Sequence, residues 1–240
     1  MARISKKKPI VVLKVGRSDV GAKAANSHTG SLAGSDAVYS AAFKQYGIIR
    51  TYSFEELIDT LQAFDAFPLP KDNNVFILSQ AGGFGIYCTD ALLDEEVLSM
   101  PVVEEETKAE LRSILPDMAS VCIPEGYADI TASANVRQHI ESLRIVLKDK
   151  NVGSVIFITV IPSFLPSKEL AAELVKLLKE GEKVNKPVLI CIMSGNYVRE
   201  SRVILEKNGI RTFDTPSNAV KAVRHMVEYA SFLKDAEGRK

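Results

Sequence analysis

Of the three histidines in the sequence, His28 keeps the most unusual company. It lies in NSHTGSLAG (26–34), between the hydroxyls of Ser27 and Thr29 and ahead of Gly30 and Gly34, with Lys14, Arg17 and Lys23 upstream. Small residues on both sides read as a loop that lets something approach or move. A free imidazole titrates near pH 6.5, so its neutral form is an available nucleophile under physiological conditions. Four roles compete for it: general base, metal ligand, covalent phosphate carrier and plain loop residue. A base for a serine nucleophile needs a carboxylate to orient it, and none is adjacent. A metal site needs further His, Cys or carboxylate ligands; no such cluster stands out, and no metal is assigned. A phosphate carrier needs a mobile loop, nearby positive charge and a helix terminus, and the sequence offers all three. The other histidines read as structural or solvated. His139 shares a helix face with Val136, Ile140 and Leu143, as a satisfied core histidine would. His225 points away from the stripe of Val220, Val223 and Val227 and reads as solvated.

A second chemical feature is the turn in FILSQAGGFGIYCTDALL (76–93), where a strand enters a helix through glycines. In open α/β sheets, ligands bind beyond the carboxyl ends of the strands, where helix N-termini present free N–H groups. Gly82 and Gly83 carry no side chain to block an anion, and the helix behind them supplies a partial positive charge. The pattern is neither a Walker loop nor GxGxxG, so a tightly wrapped nucleotide is not indicated. Two readings stand: a phosphate seat, or a tight turn whose glycines permit close packing. A similar strand end in CIMSGNYVRE (191–200) offers Ser194, Gly195 and Asn196, and there a helix cap with a turn is preferred.

Elements must position these residues, and the composition says what kind. The 240 residues allow one large domain or two modest ones with a real core. Lys plus Arg equal Asp plus Glu at 30 each, which leaves no electrostatic footprint for nucleic acid or an anionic membrane. The basic start MARISKKK is followed by PIVVLKVG, strand-length and far too short to span a bilayer. Cys88, Cys122 and Cys191 are scattered without metal-ligand spacing, as expected for reduced thiols in a cytoplasmic protein.

PIVVLKV (9–15) reads as a buried parallel strand. A helix over 35–47 opens at Ser35 or Asp36 and closes at Gly47, and a short strand IIRTY follows. SFEELIDTLQAFDAF (53–67) is a helix with Ser53 and Glu56 in a capping-box pattern. After the linker PLPKDN (68–73), strands are expected at 74–80, 153–161 and 187–193. Helices are expected after the glycine turn and over 104–115, 133–148, 167–185, 197–208 and 216–235, the last with Thr215 as cap and Pro216 at its first position. Strand, helix, strand repeated gives an α/β open parallel sheet covered on both faces. Residues from about 35 onward suffice for one complete domain. The strand before them must join that sheet or one supplied by another chain.

The stretch KPIVVLKVGRSDVGAKAANSHTGSLAGSDAVYSAAFKQYGIIR (8–50) closely resembles the phosphohistidine region of the α subunit of ADP-forming acyl-CoA synthetases, in the succinyl-CoA synthetase superfamily. SFEELIDTLQAF and LPKDNNVFILSQAGGFGIYCTDALL resemble that family's next flavodoxin-like domain. The resemblance is strong over 8–95 and looser to about 235, with SHTGSLAGSD its most specific run. It implies a flavodoxin-like, three-layer fold: residues 1–34 as the last strand and phosphohistidine loop of a truncated domain, residues 35–240 as a succinyl-CoA synthetase-like domain. It implies an acid–thiol ligase component that reversibly converts acyl-CoA, ADP and phosphate into acid, ATP and CoA. His28 would carry the phosphoryl group between two sites, with Ser27, Thr29 and Gly30 supporting its loop. Ala81, Gly82 and Gly83 would cradle the phosphate, with Gln80 where the family commonly has Asn. Asp129, in CIPEGYADITAS (122–133), matches an aspartate in the family's Asn-Pro-Val-Asp.

The same resemblance assigns the CoA-binding domain, the ATP-grasp domain and the glutamate that orients the histidine to parts outside these residues. The chain alone would bind no cofactor and be inactive. CoA, ADP or ATP and magnesium belong to the complete enzyme, an oligomer that also handles a small acyl phosphate. Two other readings of the fold are a non-catalytic assembly or regulatory module and a simple anion-binding protein.

Overall fold

The computed structural model describes residues 3–29, 34–180 and 185–238. Its centre is a five-stranded sheet in the order β4-β5-β3-β6-β7. The strands are β3 (Val75–Ser79), β4 (Ser120–Val121), β5 (Tyr127–Asp129), β6 (Ser154–Val160) and β7 (Val188–Met193). All neighbours are parallel except β4, which runs antiparallel to β5. Alternate side chains of the buried strands feed two cores, which is why VFILS and VLICIM are apolar without alternation. Val75 and Ile77 face one core with Ile156, Ile158, Leu189 and Cys191. Phe76 and Leu78 face the other with Val155, Phe157, Ile190 and Ile192. Helices α3 (Phe54–Ala66), α4 (Gly82–Leu93) and α9 (Pro216–Gly238) cover the first face. The second is covered by α5 (Glu105–Ile114), α6 (Val136–Lys148), α7 (Ser167–Val175) and α8 (Arg199–Lys207), with a π-helical turn Lys176–Glu180 after α7. The three-layer α/β reading is borne out.

Several local expectations hold at the level of single hydrogen bonds. Ser53 Oγ accepts from Glu56 N–H (3.1 Å), and Glu56 Oε2 accepts from the backbone N–H of Tyr52 (2.7 Å). Asn135 and Gln138 add a capping box on α6 that the sequence reading did not single out. Thr215 Oγ1 accepts from Asn218 N–H (3.3 Å) at the start of α9.

Three expectations are corrected. First, the strand β2 (Ile48–Thr51) does not join the large sheet. It pairs in parallel with β1 (Ile10–Leu13) in a separate two-stranded sheet, reached through α1 (Asp19–Thr29) and α2 (Asp36–Gln45). Second, residues 26–29 are helical, the end of α1, where small residues suggested a loop. Ala22, Lys23, Ala24 and Ala25 are strong helix formers, and Ser18 supplies a cap, its Oγ accepting from Gly21 N–H (3.1 Å). Gly30 lies outside the described residues. Third, His225 is buried, with 1% of its surface exposed. Helix α9 packs against both α3 and α4 as well as the sheet, so it hides more than one stripe. Thr60 Oγ1 donates to the Glu56 carbonyl (2.6 Å) and therefore accepts from His225 Nδ1–H (2.8 Å). His225 Nε2 in turn accepts from Arg224 Nη2 (2.6 Å).

Candidate phosphoryl-transfer site

The chain leaves β3 toward β5 and leaves β6 toward β7, so its connections diverge between the neighbours β3 and β6. That divergence is where open α/β sheets place ligands. The glycine turn lies there. Ser79 Oγ accepts from Ala81 N–H (3.2 Å) and donates to the Ala81 carbonyl (2.8 Å), fixing Ala81 as the N-cap of α4. Gln80 is buried at 3% exposure. Its Nε2 donates to the Ala132 carbonyl (3.0 Å) and its Oε1 accepts from Val160 N–H (3.1 Å). The amide that resemblance put among the phosphate contacts is thus engaged in tying β3 to the loop after β5 and to β6.

The glycines of α4 divide by environment. A Cβ on Gly82 would lie 2.6 Å from Asp129 Oδ2, and one on Gly85 would lie 2.5 Å from the Tyr127 ring. Tyr127 and Asp129 alternate onto the same face of β5, so these two glycines let the helix lie directly on that strand. Gly83 has nothing within 4 Å of its Cβ position and is exposed. First-turn amides of a helix lack intrahelical acceptors, and α4 has no acidic side chain in its first turn to occupy them. The Asp129 carboxylate is held beside the turn by Thr131, whose N–H donates to Oδ1 (2.9 Å) from a backbone with φ of 73°. Burial, and then the neighbouring Asp129 charge, push the Tyr127 hydroxyl up to about 12.

His28 stands elsewhere, exposed in the last turn of α1 on the smaller sheet's side, with Ser27 exposed next to it and Thr29 closing the helix. It makes no hydrogen bond or ion pair with the α4 turn among the described residues. A helix C-terminus carries partial negative charge, so the end of α1 is no seat for an anion. The start of α4 carries the opposite, anion-attracting sign.

Other nucleophiles and ligands recede on inspection. Burial raises the Cys88 thiol to about 12, the Cys122 thiol to about 11 and the Cys191 thiol well above its usual value. His139 is fully buried, with Nδ1 2.8 Å from the Asn135 carbonyl, as its helix position suggested. At the second glycine-bearing strand end, Ser194 Oγ donates to the Ile161 carbonyl (3.2 Å) and Gly195–Val198 form a 3-10 turn into α8, the cap-and-turn reading. Among the described residues no group of three His, Cys, Asp or Glu could hold a metal ion. No helix among them is long and apolar enough to cross a membrane.

Comparison with known proteins gives the site a context. Residues 1–64 match a family model described as a succinyl-CoA ligase-like flavodoxin domain. The chain is 40% identical over 230 residues to the α subunit of acetate–CoA ligase (ADP-forming) II of Pyrococcus furiosus, covering 95% of this chain and 49% of that one. It is 34% identical to a 4-hydroxybutyrate–CoA ligase (ADP-forming) of Nitrosopumilus maritimus, covering 97% of this chain and 32% of that one. Among solved structures, the dinucleotide-forming acetyl-coenzyme A synthetase 1 of Ca. Korarchaeum cryptofilum, in complex with phosphate and ADP, superposes with a TM-score of 0.89 at 32% identity, covering 98% of this chain and 50% of that chain. The chain therefore spans half or less of the length of the proteins it matches. Along nearly its whole length it is homologous to the α subunits of ADP-forming acetate–CoA ligases, with a fold shared with an ADP-forming acetyl-CoA synthetase.

Proposed function

We propose that this chain is the phosphoryl-carrying component of an ADP-forming acyl-CoA ligase. In the direction of ATP synthesis, phosphate attacks the acyl-CoA carbonyl to give acyl phosphate and free CoA. His28 then takes the phosphoryl group, releasing the acid. Phospho-His28 finally passes it to ADP, regenerating the free imidazole. Dividing the transfer through a covalent intermediate replaces one difficult step by easier ones, and each asks the protein mainly for positioning and charge neutralisation.

The observation that carries this reading is a complementary pair inside a chain homologous to such ligases. An exposed histidine ends a helix on one sheet, and an open helix N-terminus led by Gly82 and Gly83 starts on the other. In this reading β1 and β2 are the end of one flavodoxin-like domain, completed by residues outside the described ones, and the five-stranded unit is a second domain; the pairing of β2 with β1 supports a division after Thr51. The glycine turn is no nucleotide motif and the described residues offer no metal cluster, so ADP or ATP with magnesium falls to an ATP-grasp partner and CoA to a CoA-binding domain. The assembly is a cytoplasmic oligomer.

Labelled ATP, supplied to this chain together with the ATP-grasp and CoA-binding portions, tests the proposal. An acid-labile, base-stable label should appear on the chain and vanish in His28→Asn. An active assembly that leaves the chain unlabelled refutes it and favours a regulatory module. Phosphate binding at Gly82 and Gly83 without any labelling favours a plain anion site.

A further inference from the structure

A cleft of about 690 Å³ opens at the C-terminal ends of β1 and β2, and none of its lining residues belongs to the α4 turn. We propose that this cleft is a second phosphoryl-binding site, taking a phosphorylated small molecule of up to nucleotide size. It lies beyond the carboxyl ends of two parallel strands, the usual ligand position in open α/β sheets, and its volume is that of a small-molecule pocket.

Its lining carries three cations, Lys14, Arg17 and Arg50, and a single carboxylate, Asp36. Asp36 is shared: both its oxygens accept from Arg50 Nη2 (2.7 and 2.9 Å), and Lys14 Nζ is 3.5 Å away. Lys14 also donates to the carbonyls of Val15 and Gly16, both at 3.1 Å. Arg50 Nη1 donates to Ser40 Oγ. The Arg50 side chain is only 8% exposed and its Nε is buried without a hydrogen-bond partner among the described residues, so Arg50 contributes charge while the donors open to a ligand are those of Arg17. Arg17 is exposed, in no ion pair among the described residues, and rests on Tyr52 with its guanidinium 5.2 Å from the ring centroid; that of Arg50 is 5.1 Å from the same ring. One aromatic ring thus steadies two guanidinium groups. Two positive charges in excess of the carboxylate, with the planar fork of Arg17 open to a ligand, suit a phosphoryl dianion better than a carboxylate.

Helix α1 starts at the same cleft. Gly21 N–H is spent on Ser18 Oγ (3.1 Å) and Ala22 N–H on the Ser18 carbonyl (2.8 Å), which leaves the amides of Asp19 and Val20 as first-turn donors, with the Asp19 carboxylate in the same turn as a competitor that the cleft's cations must outweigh. An anion held here stabilises the helix whose other end carries His28.

Pyrophosphate titrated into the isotope-labelled chain, followed by amide shifts, tests the site. Saturable shifts are expected over Gly16–Gly21 and at Tyr52. Arg17→Ala, an exposed substitution that leaves the fold intact, should weaken binding by about tenfold or more. Arg50→Lys, which keeps the charge, should weaken it less than Arg17→Ala, and His28→Asn should not weaken it. Inorganic phosphate and adenosine monophosphate form two further arms, and added shifts at Phe54 with the nucleotide would identify an occupant that stacks. The proposal fails if no saturable shift appears in that stretch, if Arg17→Ala binds as well as the parent chain, or if acetate binds as tightly as pyrophosphate.

Discussion

Asp129 limits how tightly the α4 turn can hold an anion. Its Oδ2 lies where a Gly82 side chain would be, beside the amides that would receive a phosphate. Like unit charges about 5 Å apart repel by roughly 3 kcal/mol at an effective dielectric constant of about 20, and solvent at the open Gly83 side reduces that. A phosphate seated here, as we propose, is therefore held weakly, which suits a group that must leave again. Asp129→Asn keeps an acceptor for Thr131 N–H and removes the charge. Its expected effect is a phosphate dissociation constant lowered about fivefold or more, read by calorimetry, with slower release lowering kcat together with KM in the assembled enzyme. Unchanged or weaker phosphate binding would show that the carboxylate does not face the seat. In the sequence Asp129 stood out only by resemblance, because its approach to Gly82 is made by the pairing of β5 with β3. The same limit explains the histidines: His139 shares an apolar helix face that announced its packing on Phe157 of β6, whereas the polar partners of His225 include Thr60 and Glu56 of α3, which no local pattern announced.

At the scale of elements, the glycines of α4 do different work, and substitutions separate it. Gly85→Ala would drive a methyl group into the buried Tyr127 ring. Overpacking costs about 1–3 kcal/mol, while alanine in a helix returns about 1. A net loss of about 1 kcal/mol, seen as a lower denaturation midpoint, is the expected outcome. Gly83→Ala meets no neighbouring atom and should raise stability by about 0.5–1 kcal/mol, while its methyl group obstructs an incoming phosphate and weakens binding. Equal stability changes in the two variants would contradict this division of roles. The glycine turn itself was legible, since strand, glycines and helix are contiguous. Two features nearer the N-terminus were less so. Serine, histidine and glycine around position 28 suggested a loop, yet the alanines before them carry α1 through Thr29. The run IIRTY announced a strand without saying which sheet it joins, because that depends on pairing with β1.

For the molecule as a whole, the apolar strand runs and capped helices made the three-layer class readable, but the charge states fixed by packing were not, and they set how stability varies with pH. Burial lowers His139 to about 4. Burial first, then Arg224 and Lys221, lower His225 to about 3. An added proton on His225 Nε2 would displace the hydrogen bond from Arg224 and set two cations together, with Glu56 Oε1 3.5 Å away as the one carboxylate beside that nitrogen among the described residues. Both groups are neutral in the fold, whereas unfolded histidines bind protons near pH 6.5. Between about 6.5 and the folded values the unfolded state binds more protons, so stability falls as pH falls. Each shift corresponds to on the order of 3 kcal/mol at its full extent. Asp59 acts in the opposite sense: burial, then Glu55 and Asp214, raise it to about 6, so its protonation in the fold adds stability as pH drops from 6 toward 4. Its carboxyl is partly solvated, which discounts that contribution, and the two histidines dominate. Urea unfolding from pH 7 to pH 4 should therefore show a falling free energy with a steep onset below 6.5. His139→Gln should flatten the slope, His139→Gln with His225→Gln should reverse it by leaving Asp59 in control, and a slope unchanged by both substitutions would mean that the buried histidines are not the source.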